Sequence, residues 1–321
     1  MYYGRYLRPV KDYLVGSLEF MIPTLAKFPQ PYNWAMENSF IRAVMKRFAG
    51  MVDSPVICRH SLRQGLLDRS IDFATTDTVQ RLTESQRQRS VIIVQDAFTS
   101  YFETQLVLDL IDLLSHLGFN VLVAPFMPNG KPLHVHGFMK AFNKAAEKNV
   151  IMLKKLESTG IPLVGIDPSM TLTYRSEYKE LGDDLPVVHL LQEWLADALK
   201  AFPVKGEVTQ QTFKLMAHCT EKTNAAPSIR QWQEVFAALG QKLEVVATGC
   251  CGMSGTFGHE TKNYKLSKEI YALSWSEIVN SPEHRGQLLV TGYSCRSQVK
   301  RLDNQQLLHP VQALLAVVQK L

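Results

Sequence analysis

The sequence predicts an α/β protein: two tandem repeats of a small, mainly parallel unit, preceded by a helical N-terminal segment. Three observations lead there. Residues 91–130 superpose on residues 213–252 at a constant offset of 122 with no gap, so the chain contains a duplicated unit. Strand-like and helix-like stretches alternate through both copies, the pattern of a parallel sheet with helical crossovers. Residues 1–88 show no such alternation. The expected divisions are a helical lead over 1–88, a first repeat over 89–205 and a second over 206–321.

In the lead, helical stretches are interrupted by Pro23, Pro29, Pro31 and Pro55, each of which lacks an amide donor. The lead is expected to pack on the repeats or on polypeptide upstream of it. The first repeat opens on Val91-Ile92-Ile93-Val94 and the second on Phe213-Lys214-Leu215-Met216; polar turns follow at Gln95-Asp96-Ala97 and Ala217-His218-Cys219. A helix comes next in both. Its apolar face is Leu106, Leu110, Leu113, Leu114 and Leu117 in the first copy, and Ile229, Trp232, Val235, Phe236 and Leu239 in the second. Gly118 and Gly240 stop these helices, again 122 apart. Second strands are expected at 121–124 and 243–246, leading to Pro128-Asn129-Gly130 in one copy and Cys250-Cys251-Gly252 in the other. Third strands are expected at 162–166 and 287–292, after a helical stretch six residues longer in the second copy. His309-Pro310 should begin the terminal helix, because proline suits the first helical position.

With 321 residues, 46% hydrophobic and 20% charged, the chain can bury two cores of ordinary size. Its longest apolar runs, 91–94 and 313–318, fall far short of the roughly 20 residues of a membrane span. The opening Met1-Tyr2-Tyr3-Gly4-Arg5-Tyr6 has no apolar signal core, and free cysteines suit a reducing compartment, so a cytoplasmic location with no direct membrane span is expected. The net charge of +5 arises from 35 basic and 30 acidic residues mixed along the chain, which argues against nucleic acid as a partner.

Chemistry is concentrated in the second copy. Four of the five cysteines lie there, Cys219, Cys250, Cys251 and Cys295, two of them adjacent. Adjacent cysteines seldom bond to each other, because the small ring is strained, so the pair reads as ligands held toward one centre. All four follow expected strands, at the carboxyl edge where α/β sheets gather ligands. The matching positions of the first copy are Ala97, Pro128, Asn129 and a residue from Asp167 to Ser169, so that copy cannot build the same centre.

Four thiolates suit a [4Fe-4S] cluster or tetrahedral zinc, and softness alone does not choose between them. Gly249, Gly252, Gly255 and Gly258 let backbone approach closely and aim amide donors at sulfur. Arg296, Lys300 and Arg301 follow Cys295 at an expected helix start, where positive charge and the helix dipole favour anionic sulfur. His218 and His259 flank the set, as accessory ligands, proton donors, anchors for a substrate carboxylate, or plain hydrogen-bonded loop residues. His134-Val135-His136 would place two rings on one face of an extended segment near Lys131, a weak metal site. Cys58, outside the repeats, reads as structural. Gly252-Met253-Ser254-Gly255 lacks the strand-to-helix elbow of a serine nucleophile.

The string Gly249-Cys250-Cys251-Gly252-Met253-Ser254-Gly255-Thr256-Phe257-Gly258-His259-Glu260, with Cys219 before it and Thr291-Gly292-Tyr293-Ser294-Cys295-Arg296-Ser297-Gln298 after it, resembles the cysteine-rich CCG domain. That domain occurs, usually in tandem, in a subunit of heterodisulfide reductase and in iron–sulfur subunits of enzymes oxidising glycolate, lactate and glycerol-3-phosphate. It also ends large FAD-linked oxidases similar to bacterial D-2-hydroxyglutarate dehydrogenase. Tyr6-Leu7-Arg8-Pro9, Pro128-Asn129-Gly130-Lys131-Pro132 and His309-Pro310-Val311-Gln312-Ala313-Leu314-Leu315 extend the resemblance to this last group over essentially the whole chain.

The resemblance implies an electron-transfer or scaffold module at the end of an FAD-dependent D-2-hydroxyacid oxidoreductase. Its partners would be FAD-binding and ferredoxin-like domains, in cis or in trans. Cys219, Cys250, Cys251 and Cys295 would ligate an iron–sulfur cluster, Gly252 and Gly255 would shape the loop, and Arg296 would tune charge. The chain has no Gly-rich FAD-binding stretch and no Cys-x-x-Cys-x-x-Cys run, so FAD belongs to a missing domain or partner and the chain alone is expected to be inactive. Gly292 stands where the fullest CCG pattern has the first cysteine of a closing Cys-x-x-Cys, leaving four candidate ligands rather than five. Two other readings stay open: a non-catalytic interaction scaffold with no metal centre, and a thiol–disulfide module like heterodisulfide reductase.

Overall fold

Each strand of the repeats is short and pairs in parallel with its neighbours, because a helical crossover separates it from the next. The computed structural model describes residues 7–204 and 209–320; Tyr6 and the expected boundary at 205–206 lie outside the described residues. The lead contains α1 (Val10–Gly16), α2 (Leu18–Leu25), α3 (Pro29–Glu37) and α4 (Ser39–Val44), the last running into a π-helical turn at Met45–Ala49. Then come α5 (Leu62–Asp68), α6 (Thr76–Gln80) and α7 (Glu84–Gln88). Pro29 and Pro31 fall in the first turn of α3, where amides have no intrahelical partner to lose. Pro23 lies inside α2 rather than breaking it; near the end of an eight-residue helix it removes one backbone hydrogen bond.

The first copy runs β1 (Ser90–Ile93), α8 (Ala97–Phe102), α9 (Thr104–His116), β2 (Asn120–Val123), α10 (Lys131–Val135), α11 (Met139–Glu157), β3 (Leu163–Gly165), α12 (Pro168–Thr173), β4 (Val188–Leu190) and α13 (Leu191–Ala201). The second runs β5 (Thr212–Met216), α14 (Cys219–Asn224), α15 (Pro227–Ala238), β6 (Lys242–Val245), α16 (Tyr264–Ala272), α17 (Trp275–Asn280), β7 (Leu288–Val290), α18 (Tyr293–Asp303) and α19 (Pro310–Val318). The sheets are ordered β2-β1-β3-β4 and β6-β5-β7. Val91 pairs with Val121 as Phe213 pairs with Leu243, the same register 122 residues apart. Gly118 and Gly240 end α9 and α15 with left-handed φ of 80° and 70°, which only glycine adopts cheaply.

Two details depart from the sequence reading. The offset between third strands is 125, Leu163–Gly165 against Leu288–Val290, so the connection in the second copy is three residues longer rather than six. A fourth strand, β4, joins the first sheet; three residues are too few to show an alternating pattern. Its place in the second sheet is taken by Leu308, whose carbonyl accepts the Val290 amide at 2.9 Å.

The copies pack reciprocally. α13 lies on α15 and α19 lies on α9, so each copy supplies its last helix to the other's first long helix. The result is one apolar core holding Val91, Ile93 and Leu110 of the first copy with Leu215, Trp232, Phe236 and Leu314 of the second. The same reciprocity recurs at the carboxyl edges. α12 meets α14, while Phe98 and Phe102 of α8 pack on Tyr293 of α18, with ring centroids 5.2 and 6.1 Å apart. The carboxyl edges of the two sheets therefore face each other. Among the described residues no helix is long and apolar enough to cross a membrane.

A shared core makes the copies one cooperative unit. Leu314→Ala should cost about 2–5 kcal/mol by cavity formation, read as a shifted denaturant midpoint in a single transition. Two separated transitions, one per copy, would contradict this packing.

Candidate cysteine centre

The adjacent cysteines stand in the loop after β6, and their posture is set by Gly252. Its φ of +82° is left-handed, and a Cβ there would lie 2.3 Å from the Ser267 carbonyl oxygen, so the turn admits only glycine. Ser267 Oγ donates to the Gly252 carbonyl at 2.7 Å and accepts from Gln298 Nε2 at 2.9 Å, which ties the loop to α16 and α18. On the other side, Trp275 Nε1 donates to the Gly249 carbonyl at 3.1 Å and the Gly249 amide donates to Ser274 Oγ at 3.0 Å. The loop is held at both ends.

Cys219 is the first residue of α14 and Cys295 the third of α18. The structure brings both to the pair. The four thiols stand close enough to shift one another: Cys219 and Cys251 act on Cys250, and Cys295 acts on Cys219 and Cys251. Cys251 and Cys295 are buried, Cys219 and Cys250 half-buried. The Cys250 thiol is pushed far below its ordinary value, first by the Cys219 thiol and then by Cys251, with the Gly252 amide donating to its sulfur at 3.3 Å and His218 nearby. Cys219 and Cys251 shift upward, chiefly through the Cys250 sulfur beside them. Cys250 is thus the thiol pushed toward its anionic form.

His218 caps α14, its Nδ1 accepting the Thr220 amide at 3.2 Å, while Nε2 lies 3.2 Å from Ser294 Oγ. Burial lowers its pKa. His259 is committed elsewhere: its Nδ1 lies 2.5 Å from Asp53 Oδ1 of the lead, and Arg301 Nε donates to Asp53 Oδ2 at 2.6 Å. Arg296 is buried and spans the copies, paired bidentately with Glu103 and donating to the Val290 carbonyl at 2.8 Å. Burial opposes its charge, but Glu103, with Asp167 and Cys295 adding to it, holds the guanidinium's pKa up. Gly255, with φ of +62°, has open space around it; its conformation rather than its surroundings calls for glycine.

Glu221 is the functional-edge residue that sequence reading missed. A glutamate in the first turn of a helix reads as a dipole partner, yet this one is buried and accepts from Thr291 Oγ1 at 2.6 Å, Gln192 Nε2 at 2.7 Å and Ser228 Oγ at 3.2 Å. Burial lifts its pKa to about 7. Thr291 Oγ1 in turn accepts the His218 amide at 2.9 Å, so Glu221 braces the turn that carries Cys219.

Among the described residues no three or more His, Cys, Asp or Glu side chains stand in metal-holding geometry. The donor set nonetheless fits a thiolate-held centre in kind and number: four thiols that act on one another, an amide donor already aimed at one, and a glycine cradle beside them. The paired His134 and His136 differ from expectation, since residues 131–135 form helix α10 rather than an extended segment. His134 packs on Phe142, and His136 Nδ1 faces Asp12 at 3.4 Å. Cys58 Sγ donates to the Phe102 carbonyl at 3.1 Å, tying the lead to the first copy.

The first copy keeps the shape of this site and changes its chemistry. Ala97, Pro128 and Asn129 hold the positions of Cys219, Cys250 and Cys251, and the third-strand offset of 125 matches Cys295 to Met170 rather than to Asp167 through Ser169. Gly130 has φ of +83°, as Gly252 has +82°. Its amide donates at 2.8 Å not to sulfur but to Glu19 Oε2, delivered by α2 of the lead. Glu19 is fully buried, and burial lifts its pKa to about 8, with Asp96 adding to the rise.

A duplicated α/β module with thiols at one carboxyl edge is the class that fold and site define. Over its full length the chain is 49% identical to D-2-hydroxyglutarate dehydrogenase of Pseudomonas putida KT2440, covering 31% of that enzyme. It is 41% identical over 321 residues to the enzyme of the same name from Escherichia coli K12, again 31% of its length. It is 26% identical over 242 residues to a subunit of the anaerobic glycerol-3-phosphate dehydrogenase of E. coli K12, covering 72% of this chain and 60% of that relative. The chain thus spans about a third of the D-2-hydroxyglutarate dehydrogenases it matches. No family model matches it.

Two expectations follow. In the metal-free protein near neutral pH, iodoacetamide should label Cys250 first and reach Cys251 and Cys295 only on unfolding, as read by peptide mass spectrometry; equal labelling of all four would refute the thiol order. Glu19 binds its proton more tightly folded than unfolded, so stability should fall as pH rises from about 4.5 to about 8. Glu19→Gln should flatten that slope in pH-dependent denaturant titrations, and an unchanged slope would place Glu19 outside the linkage.

Proposed function

We propose that the chain is the C-terminal, cysteine-bearing module of a D-2-hydroxyacid dehydrogenase, with an electron-transfer centre held by Cys219, Cys250, Cys251 and Cys295. The observation that supports it is the gathering of four mutually influencing thiols at one carboxyl edge, in a sequence 49% identical to a third of an enzyme of that name. A bound [4Fe-4S] cluster would supply one-electron transfer there.

The chain's own residues prepare the site. Gly252 places two sulfurs side by side and aims its amide at one of them. Cys251 and Cys295, buried, close the inner side to water, and half-buried Cys219 and Cys250 leave the outer side approachable. Arg296 is neutralised by Glu103, so it fixes the start of α18 and the seam between copies while adding little net positive field at the sulfurs. FAD, a ferredoxin-like segment and the hydroxyacid site belong, in this proposal, to the rest of the longer enzyme. A thiol–disulfide role is the second reading, because a stabilised Cys250 thiolate next to Cys219 is the arrangement of an exchanging pair.

Iron, sulfide and zinc analysis of anaerobically purified protein, with an ultraviolet–visible spectrum, separates these readings. About four irons and four sulfides per chain, lost in Cys250→Ser/Cys251→Ser, are expected. Zinc in their place would make the centre structural. A colourless protein without either metal after anaerobic reconstitution, in which Cys219 and Cys250 titrate as a redox pair, would replace the cluster with thiol exchange.

A further inference from the structure

The continuous helix formed by α4 and its π-helical turn, Ser39–Ala49, buries none of its residues. Phe40, Val44 and Phe48, spaced four apart, form a single stripe along it and are 75%, 39% and 77% exposed. Arg42, Lys46 and Arg47 flank the stripe, and there is no Asp or Glu from Asn38 to Val52. Helices of this length are marginal in water unless an apolar face is covered. This one is capped at its start by Asn38, which accepts the Phe40 and Ile41 amides, and ended by Gly50 at φ of +67°, yet its apolar stripe points away from the molecule.

Its position ties it to the cysteine edge. Immediately after the helix, the Gly50 carbonyl accepts the Thr261 amide at 2.8 Å, Met51 pairs antiparallel with Glu260, and the Val52 amide donates to the His259 carbonyl at 2.7 Å. Asp53 then clamps His259 and Arg301. His259, Glu260 and Thr261 belong to the loop that leaves Cys251 through Gly252, and Arg301 to α18. Whatever grips the helix thus grips the segment that braces the thiols.

We propose that helix Ser39–Ala49 is the docking element through which this module joins the polypeptide making up the rest of the D-2-hydroxyglutarate dehydrogenases it matches. The stripe inserts into an apolar groove with an acidic rim on that polypeptide. The inference rests on the reading of the chain as one module of a longer enzyme. Three features select a protein groove. The stripe is one side chain wide, suited to helix-in-groove recognition; its basic flanks call for carboxylates opposite; and the relatives carry more than twice as much additional polypeptide as this chain supplies.

The test is site-specific photocrosslinking in the producing cell, with p-benzoyl-phenylalanine in place of Phe40, Phe48 or, as a control on the exposed face of α11, Ile151. Adducts are identified by mass spectrometry and iron is measured on the same preparations. Expected are adducts from positions 40 and 48, about tenfold above position 151, to sequence homologous to the other part of those dehydrogenases, at sites flanked by Asp or Glu. Phe40→Ser/Phe48→Ser, with the probe at Val44, should lose the adduct while keeping its iron. Adducts to lipid, to a second copy of this chain, or at equal yield from position 151 would overturn the proposal. Adducts retained in a protein without iron would sink the cluster and leave the docking surface standing.

Discussion

The cysteine edge depends on one backbone turn. Gly252 adopts a left-handed conformation against the Ser267 carbonyl, and no side chain fits there. That turn sets Cys250 and Cys251 beside Cys219 and Cys295, which arrive from the starts of α14 and α18. It also turns the Gly252 amide onto the Cys250 sulfur. The pieces that hold the turn, Ser267, Gln298, Trp275 and Ser274, come from three helices of the same copy and the cap of one of them, so sulfur placement is tied to the packing of the whole second repeat. A thiolate is favoured at this sulfur first by the Cys219 thiol and then by Cys251, and the oriented amide adds to them.

The first copy shows what the same turn does without sulfur. Gly130 keeps the conformation and offers the same amide, and a carboxyl group from the lead, Glu19, takes it. Duplication preserved the shape of an acceptor-seeking turn while the acceptor changed from a side chain of the repeat to one borrowed from outside it. This also explains part of the lead's role. α2 fills the first copy's edge, and residues 50–53 brace the second copy's loop through His259, Glu260 and Arg301.

Much of this architecture was legible in the sequence because duplication repeats its signals. The offset of 122 holds between β2 and β6, each one residue ahead of its expected place, and also between α8 and α14, short helices that the sequence reading took for turns; the two stop glycines carry the same backbone geometry. The four thiols share one edge because short loops after neighbouring parallel strands leave little freedom. What escaped has physical causes. β4 is too short for periodicity to register. His134 and His136 alternate in sequence, yet Pro132 in the first turn favours helix. Glu221 and Glu19 look like surface acids until folding buries them against hydroxyl, amide and backbone donors. His259 was read beside the cysteines by sequence proximity, and its ring is held by Asp53, a residue 206 positions away.

The central claim is that four cysteine sulfurs of one repeat hold an iron–sulfur centre. The most direct measurement is iron K-edge X-ray absorption on the anaerobically loaded chain, set beside Cys295→Ser. The account predicts a first shell made only of sulfur, with a short iron–iron vector, and an oxygen or nitrogen scatterer appearing when Cys295 is replaced. A wild-type first shell of nitrogen and oxygen, or one indifferent to Cys295, would contradict it.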